Sequence, residues 1–213
     1  MGDAVEGQRA ARQSRRQPSF QNAKALVLAR LDKSPKGSLD APILPLIHAI
    51  NQADRYVTTS SCSGRIVLFE KASAPKIPGR FLLVSHDSVS CDACTVALDA
   101  ASDGADVAFK CEPPILHVWC ENIEAAVRLL QLSVRAGFRE SGIGLSGSPK
   151  VMLAIRTTAS ALELPFGCGR ELLLPQPYVS RLVELANSNL QANQAKTDRL
   201  LSELSAAAAA DQG

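Results

Sequence analysis

Apolar and polar positions change period along this chain, and the changes mark its elements. Leu26, Leu28 and Leu31 interleave with Lys24 and Arg30, predicting a helix over 20–31. A second helix is predicted over 40–53 through Ile43, Leu44, Leu46, Ile47 and Ile50. Pro42 and Pro45 fall in its first turns, where amides lack helical partners anyway. Strands follow at about 55–60, 65–70 and 80–85, then a helix at 90–101. Two more strands, 106–110 and 115–120, flank Glu112-Pro113-Pro114. Asn122 opens a long amphipathic helix to about Ala136, stopped by Gly137-Phe138. Val151 to Arg156 and Leu162 to Pro165 read as strands, and Pro175 to Leu204 as the last helix. Helices and strands mix without strict alternation. The expectation is an α+β (mixed α/β) single domain over 20–205, with a mixed central sheet flanked by helices. Residues 1–19 read as a disordered basic arm and 206–213 as a frayed alanine-rich tail.

Composition narrows the picture. Aromatic residues are only 4% of the 213 positions and apolar residues 46%, so the core must be built from Leu, Ile, Val and Ala. A net charge of +2 does not mark a strong polyanion binder, but leaves room for a local basic patch. No run approaches the roughly 18 apolar residues of a membrane span. Met1 to Phe20 has no apolar core and is no secretory signal. Its Arg9, Arg12, Arg15 and Arg16 fit a flexible basic arm, with an organelle transit peptide as the alternative. The expected location is cytoplasmic, and the six cysteines are expected to be reduced.

The run Thr58-Thr59-Ser60-Ser61-Cys62-Ser63-Gly64-Arg65-Ile66 is a poor core and a poor plain turn. Hydroxyls, backbone amides and a guanidinium there suit the floor of a polar pocket. Leu31 to Asp40, with Lys33, Lys36, Pro35 and Gly37, is dense for a connector. Its simple reading is a solvated loop with Asp40 as the N-cap of the next helix. Gly142-Ile143-Gly144-Leu145-Ser146-Gly147 matches a dinucleotide-type glycine pattern, but a helix precedes it and a strand follows, the reverse of the fingerprint. Cys91 and Cys94 share a helical face and are expected to pack. Cys62 could be a nucleophile with His48, His86 or His117 as base, although a small pocket-lining residue is preferred. His117, on an alternating strand, faces away from Leu116 and Val118. A core histidine is the safer reading, while Glu112 just before it raises the prospect of a site. Arg139, Lys150, Arg156 and Arg170, with Lys33, Lys36 and Arg65, could form one basic face, or a scatter of solvated charges.

Together these segments resemble the tRNA wybutosine-synthesising protein 3 family, the 4-demethylwyosine methyltransferases. The likeness runs through Ser34-Pro35-Lys36-Gly37-Ser38-Leu39-Asp40, Asn51, Thr58 to Ile66 and Ser85-His86. It continues in Lys110-Cys111-Glu112-Pro113, Ile115-Leu116-His117-Val118 and Gly137-Phe138-Arg139-Glu140-Ser141-Gly142-Ile143. Met152 to Arg156, Leu162-Glu163-Leu164-Pro165 and Ala186-Asn187 complete it. Two departures are Cys111, where relatives tend to carry an aromatic or aliphatic residue, and Arg80 to Val84, which lacks an expected tryptophan.

The resemblance implies an enzyme using S-adenosyl-L-methionine to methylate a ring nitrogen of the tricyclic base beside the anticodon of phenylalanine tRNA. It also implies a fold of its own, not the Rossmann methyltransferase. On this reading Asp40 is the expected catalytic base, with Glu112 next. Ser61, Cys62, Ser63, Gly64, Arg65 and His117 are expected to bind the cofactor, Arg65 by pairing with a carboxylate. Lys33, Lys36, Ser38, Arg139 and Arg156 are expected on the tRNA. No metal, no membrane and a monomer are expected. The rival reading is a non-catalytic RNA-binding module with a basic face.

Overall fold

The computed structural model describes residues 19–29, 39–72, 78–145 and 150–210. By contact the chain divides after Leu31. On the N-terminal side lies α1 (Phe20–Leu28), whose N-cap Ser19 accepts a hydrogen bond from the Asn22 amide. All other elements belong to the larger unit.

A 3-10 turn, Ala41–Ile43, leads into α2 (Leu44–Gln52), with the prolines in first turns as their missing amides require. The strands are β1 (Tyr56–Cys62), β2 (Arg65–Glu70), β3 (Arg80–Ser85), β4 (Asp106–Glu112) and β5 (Ile115–Cys120), then β6 (Gly142–Leu145), β7 (Val151–Arg156), β8 (Leu162–Cys168) and β9 (Glu171–Leu172). The remaining helices are α3 (Cys91–Leu98), α4 (Ile123–Ala136) and α5 (Gln176–Ala210). The Asn122 side chain caps α4, and Gly137 at φ 108° ends it with the Phe138 amide bonded back to Ser133 O.

The α+β class holds, but the sheet does not form one mixed layer. Two antiparallel sheets form, ordered β1-β5-β7-β6 and β3-β2-β4-β8-β9. Three strands of the first, β1, β5 and β7, are continued by β2, β4 and β8 of the second, in the same lateral order. The chain therefore crosses between sheets at three short linkers: Ser63 and Gly64, Pro113 and Pro114, and residues 157–161. The physical reason for the break is local. Gly64 takes φ +89°, and the two prolines have no amide to give a ladder. The first two linkers touch: a Cβ on Gly64 would lie 3.0 Å from the Glu112 carbonyl and 3.2 Å from Pro114 N. We call this line the junction.

Each sheet has its own core. Leu116, Val118 and Leu153 pack with Leu46 and Ile50 of α2 and Leu129 of α4. Ile66, Leu68, Phe109 and Phe166 pack with Cys94 and Leu98 of α3. Among the described elements only α5 enters both, giving Val179, Leu182, Val183 and Ala186 to the second core and Leu200 and Leu204 to the first. Near its middle, buried Asn193 accepts from Ser160 Oγ at 2.6 Å, and Asn189 donates to Ser160 O, tying the third linker to the helix. The helix runs on through Ala210, past the expected stop at Leu204, and takes in the first residues expected to fray.

Candidate active site at the junction of the sheets

The serine-rich run lies at the end of β1, with only Ser63 and Gly64 outside strands. Asp40 stands at the N-cap position of the 3-10 turn, but its side chain makes no cap hydrogen bond. Its carboxylate reaches the junction, where Oδ2 accepts from the Ser63 amide at 2.9 Å and from Ser63 Oγ at 3.3 Å. The expected N-cap role is thereby corrected: the 3-10 start turns the side chain toward the linker. His86, just past β3, sets Nε2 3.2 Å from Asp40 Oδ1 and Nδ1 2.8 Å from the Gly64 carbonyl. Nδ1 against the Gly64 carbonyl ties the ring to the linker while Nε2 faces the carboxylate.

Cys62 joins this group; one donor atom each from Asp40, Cys62 and His86 lie within 4.8 Å of one another. Burial pushes the Cys62 thiol up, the Asp40 and Glu112 charges add to it, and a Gly64 backbone hydrogen bond and Arg65 oppose it. The thiol is thus kept protonated. This disfavours the nucleophile reading and suits a pocket-lining residue. Cys94 and Cys111, both in the second core, have thiols pushed up to about 11 by burial.

Arg65 and Glu112 are cross-strand partners on β2 and β4, and Arg65 Nε donates to Glu112 Oε2. The guanidinium also lies 5.0 Å from the Phe81 ring centroid. The base candidate Glu112 and the carboxylate receiver Arg65 are therefore joined to each other. Beside the Asp40–His86 pair is a cavity of about 320 Å³, between Pro42, Ser63, His86 and Ser88 on one side and Leu190 and Gln191 of α5 on the other.

His117 lies away from that group. It faces outward on β5, opposite to buried Leu116 and Val118, and Nδ1 is 2.9 Å from Ser60 Oγ across a bulge at Thr58 to Ser60. It is half-buried, not a core histidine. A second cavity, about 360 Å³, is lined by His117, Gly142, Gly144, Met152, Ala154 and Arg156. Arg156 is exposed and its Nε donates to Glu140 O. Arg139 is exposed beside the end of α4. Ser61 pairs with Leu116 one position before Cys62. Lys33, Lys36 and Ser38 lie outside the described residues. Sequence reasoning weighed His86 only as a base for Cys62; its signal was the Ser85-His86 pair closing a strand.

The family model described as methyltransferase TYW3 matches residues 22–206. The tRNA wybutosine-synthesizing protein 3 homolog of Danio rerio is 37% identical over 193 residues, covering 89% of this chain and 76% of that protein. The Homo sapiens homolog is 35% identical over 188 residues, 86% of this chain and 71% of its own length. The tRNA wybutosine-synthesizing protein 2/3/4 of Arabidopsis thaliana is 37% identical over 202 residues, of which this chain spans only 20% of the longer protein. Among solved structures, the PH1069 protein from Pyrococcus horikoshii superposes with a TM-score of 0.79 at 32% identity, covering 87% of this chain and 96% of that one. With a family match over nearly the whole folded chain, and relatives above 30% identity over most of their length, this chain belongs to the methyltransferase TYW3 family, the tRNA methyltransferases of wybutosine biosynthesis.

Proposed function

We propose that this protein, acting as a monomer, methylates a ring nitrogen of a 4-demethylwyosine-type base beside the anticodon of phenylalanine tRNA, with S-adenosyl-L-methionine as donor. The observation that carries the reading is the Asp40–Ser63–His86 group at the junction, set against a cavity of about 320 Å³. That volume is at the lower end of small-molecule pockets. Its lining fits the donor's chemistry: Pro42 and Leu190 offer apolar faces for a purine, while Ser63, Ser88 and Gln191 offer hydrogen bonds. Asp40 and Asp87 supply negative charge near a cationic group.

When bound, S-adenosyl-L-methionine supplies a methyl already activated on a sulfonium, so the protein's main task is alignment. Transfer to the target ring nitrogen would oblige that nitrogen to give up its proton, so a base must stand beside it. Asp40 is the acceptor for that proton. The Ser63 amide and His86 hold its carboxylate in one orientation, and its side chain is only 11% exposed. Ser61, Cys62 and Gly64 line the approach with small groups. Arg65, anchored through Nε, keeps its terminal nitrogens for a carboxylate of the cofactor or of the base's side chain. Glu112 steadies that guanidinium. Lys33, Lys36, Ser38, Arg139 and Arg156 serve the phosphates, and the base is splayed out to reach the junction.

The test is mass spectrometry of phenylalanine tRNA from cells lacking the protein, with calorimetric titration of the purified protein by S-adenosyl-L-methionine. A precursor one methyl lighter and saturable cofactor binding are expected. A normal hypermodified base would overturn the reading, and RNA binding without cofactor binding would favour a non-catalytic module.

A further inference from the structure

The outward face of the four-stranded sheet contains Trp119, Lys150 and two glycines that the chemistry above does not use. On β5 the residues facing away from the core are Ile115, His117 and Trp119, all half-buried, with Leu116, Val118 and Cys120 inside. Same-face neighbours on a strand stand about 7 Å apart. Across the sheet, His117 is flanked by Ser60 on one side and by Ala154 then Gly142 on the other, and Trp119 by Met152 then Gly144. The two glycines are not there for the backbone, since neither has positive φ. Nor are they there for packing. Among the described residues, a Cβ on Gly142 would meet nothing within 4 Å, and one on Gly144 only the Met152 carbonyl at 3.9 Å. Glycine in a strand without a local need marks a close approach by something else. Here the missing side chains open the cavity of about 360 Å³ beside His117.

Cations stand at both ends of β7 on this face. Lys150 Nζ sits 4.4 Å from the Trp119 ring centroid. Arg156, the cross-strand partner of Ile115, is steered by its bond to Glu140 O. The nearby Glu140 carboxylate is turned to the Thr158 amide. Aromatic faces spaced along a sheet, small residues beside them and cations at the ends form a surface for unpaired nucleotides: bases stack on the rings and phosphates meet the cations.

We propose that this face, centred on Trp119 and His117, is a stacking platform for unpaired loop nucleotides of the RNA substrate that flank the base held at the junction. Ser60 at the platform and Ser63, just past the end of β1, are three residues apart, about 10 Å at strand spacing. One loop can therefore reach both. A stacked base takes the place of the Lys150 ammonium over Trp119 and releases the lysine to a phosphate. The inference rests on the RNA-methylating reading but adds a surface to it.

Trp119 is the chain's only tryptophan, so the platform carries its own probe. The full-length protein is titrated with a hairpin bearing the anticodon loop of phenylalanine tRNA, and with the same stem closed as a blunt duplex. Binding is read in parallel by filter retention. Expected are saturable quenching by the hairpin but not the duplex, and a roughly 5- to 150-fold loss of hairpin affinity in Trp119→Ala. Trp119→Phe should recover most of that affinity. Gly142→Leu and Gly144→Val should weaken the hairpin about tenfold or more with unfolding midpoints near wild type. Unchanged fluorescence at saturating hairpin, or normal affinity in Trp119→Ala and Gly144→Val, overturns the platform. Methyl transfer to precursor tRNA, followed in the same samples, separates the two readings. Transfer that proceeds with an unaltered KM in Trp119→Ala sinks the platform alone. Absence of both transfer and hairpin binding in the wild type sinks the reading beneath it as well.

Discussion

Gly64→Ala tests whether the junction is held by backbone geometry. Gly64 has φ +89°, a region that costs an L residue about 1–2 kcal/mol. The new methyl would also lie 3.0 Å from the Glu112 carbonyl oxygen, 3.2 Å from Pro114 N and 3.3 Å from Pro114 Cδ. These are backbone and ring atoms of the adjoining linker, with no flexible end to swing aside. Crowding of that kind adds about 1–3 kcal/mol. The combined loss is about 2–5 kcal/mol, or about 4–20 °C in Tm for a chain of this size. Relief requires the two linkers to part, which moves the Ser63 amide from Asp40 and the Gly64 carbonyl from His86. Turnover should therefore fall even at temperatures where the variant is fully folded. Urea unfolding and single-turnover methyl transfer measure the two effects. Gly142→Ala is the control for stability alone, with an ordinary φ and open space, and should stay within about 0.5 kcal/mol of wild type. A Gly64→Ala protein as stable as that control and as active as wild type would refute the reasoning.

The remaining predictions concern single side chains. Asp40→Asn should cut turnover by about 10²- to 10⁴-fold while tRNA affinity stays within about twofold; a normal rate means another group takes the proton. Glu70, buried, accepts two hydrogen bonds from Arg80 and two from Ser102. The Arg80 bonds, then the Ser102 amide, hold its carboxyl below the ordinary 4.5. Since the folded value lies below the unfolded one, this stabilisation is full above the ordinary carboxylate range and is lost as pH falls through the folded value. Glu70→Gln should cost about 1–3 kcal/mol at pH 7 and flatten the acid side of the stability profile, as read by urea midpoints from pH 3 to 7. At pH 7.5 iodoacetamide should label exposed Cys168 well before Cys62, as mapped by peptide mass spectrometry; early labelling of Cys62 with loss of methyl transfer would restore it as a nucleophile.

The elements themselves were legible because their periods are clean. Asn122 and Gly137 bound α4 as a cap and a left-handed stop should, and β5 alternates without a fault. What did not show was the division of the sheet. Residues 61–64 read as one connector between two strands, yet Ser61 and Cys62 continue β1 and the strand beyond Gly64 belongs to another sheet. A periodic pattern carries which face a residue takes, not which ladder it joins, and two residues suffice to change ladder. The short β6 was hidden by its glycines, which lack the side chains that a pattern needs. Ser63 was readable as a polar floor, but the Asp40–His86 contact joins positions 46 apart in sequence and depends on the linker fold. The Arg65–Glu112 pair was likewise out of reach, because the cross-strand register of β2 and β4 had no local mark.

One helix of 35 residues, about 52 Å long, has a mechanical consequence. Because α5 is glued at one end to one sheet and at the other end to its neighbour, it works as a splint across a fracture line. Neither half can shed it without baring apolar residues on both, so the two should melt in one transition instead of two. A proteolytic nick near its midpoint would spare each half's own packing and still abolish the alignment on which methylation depends.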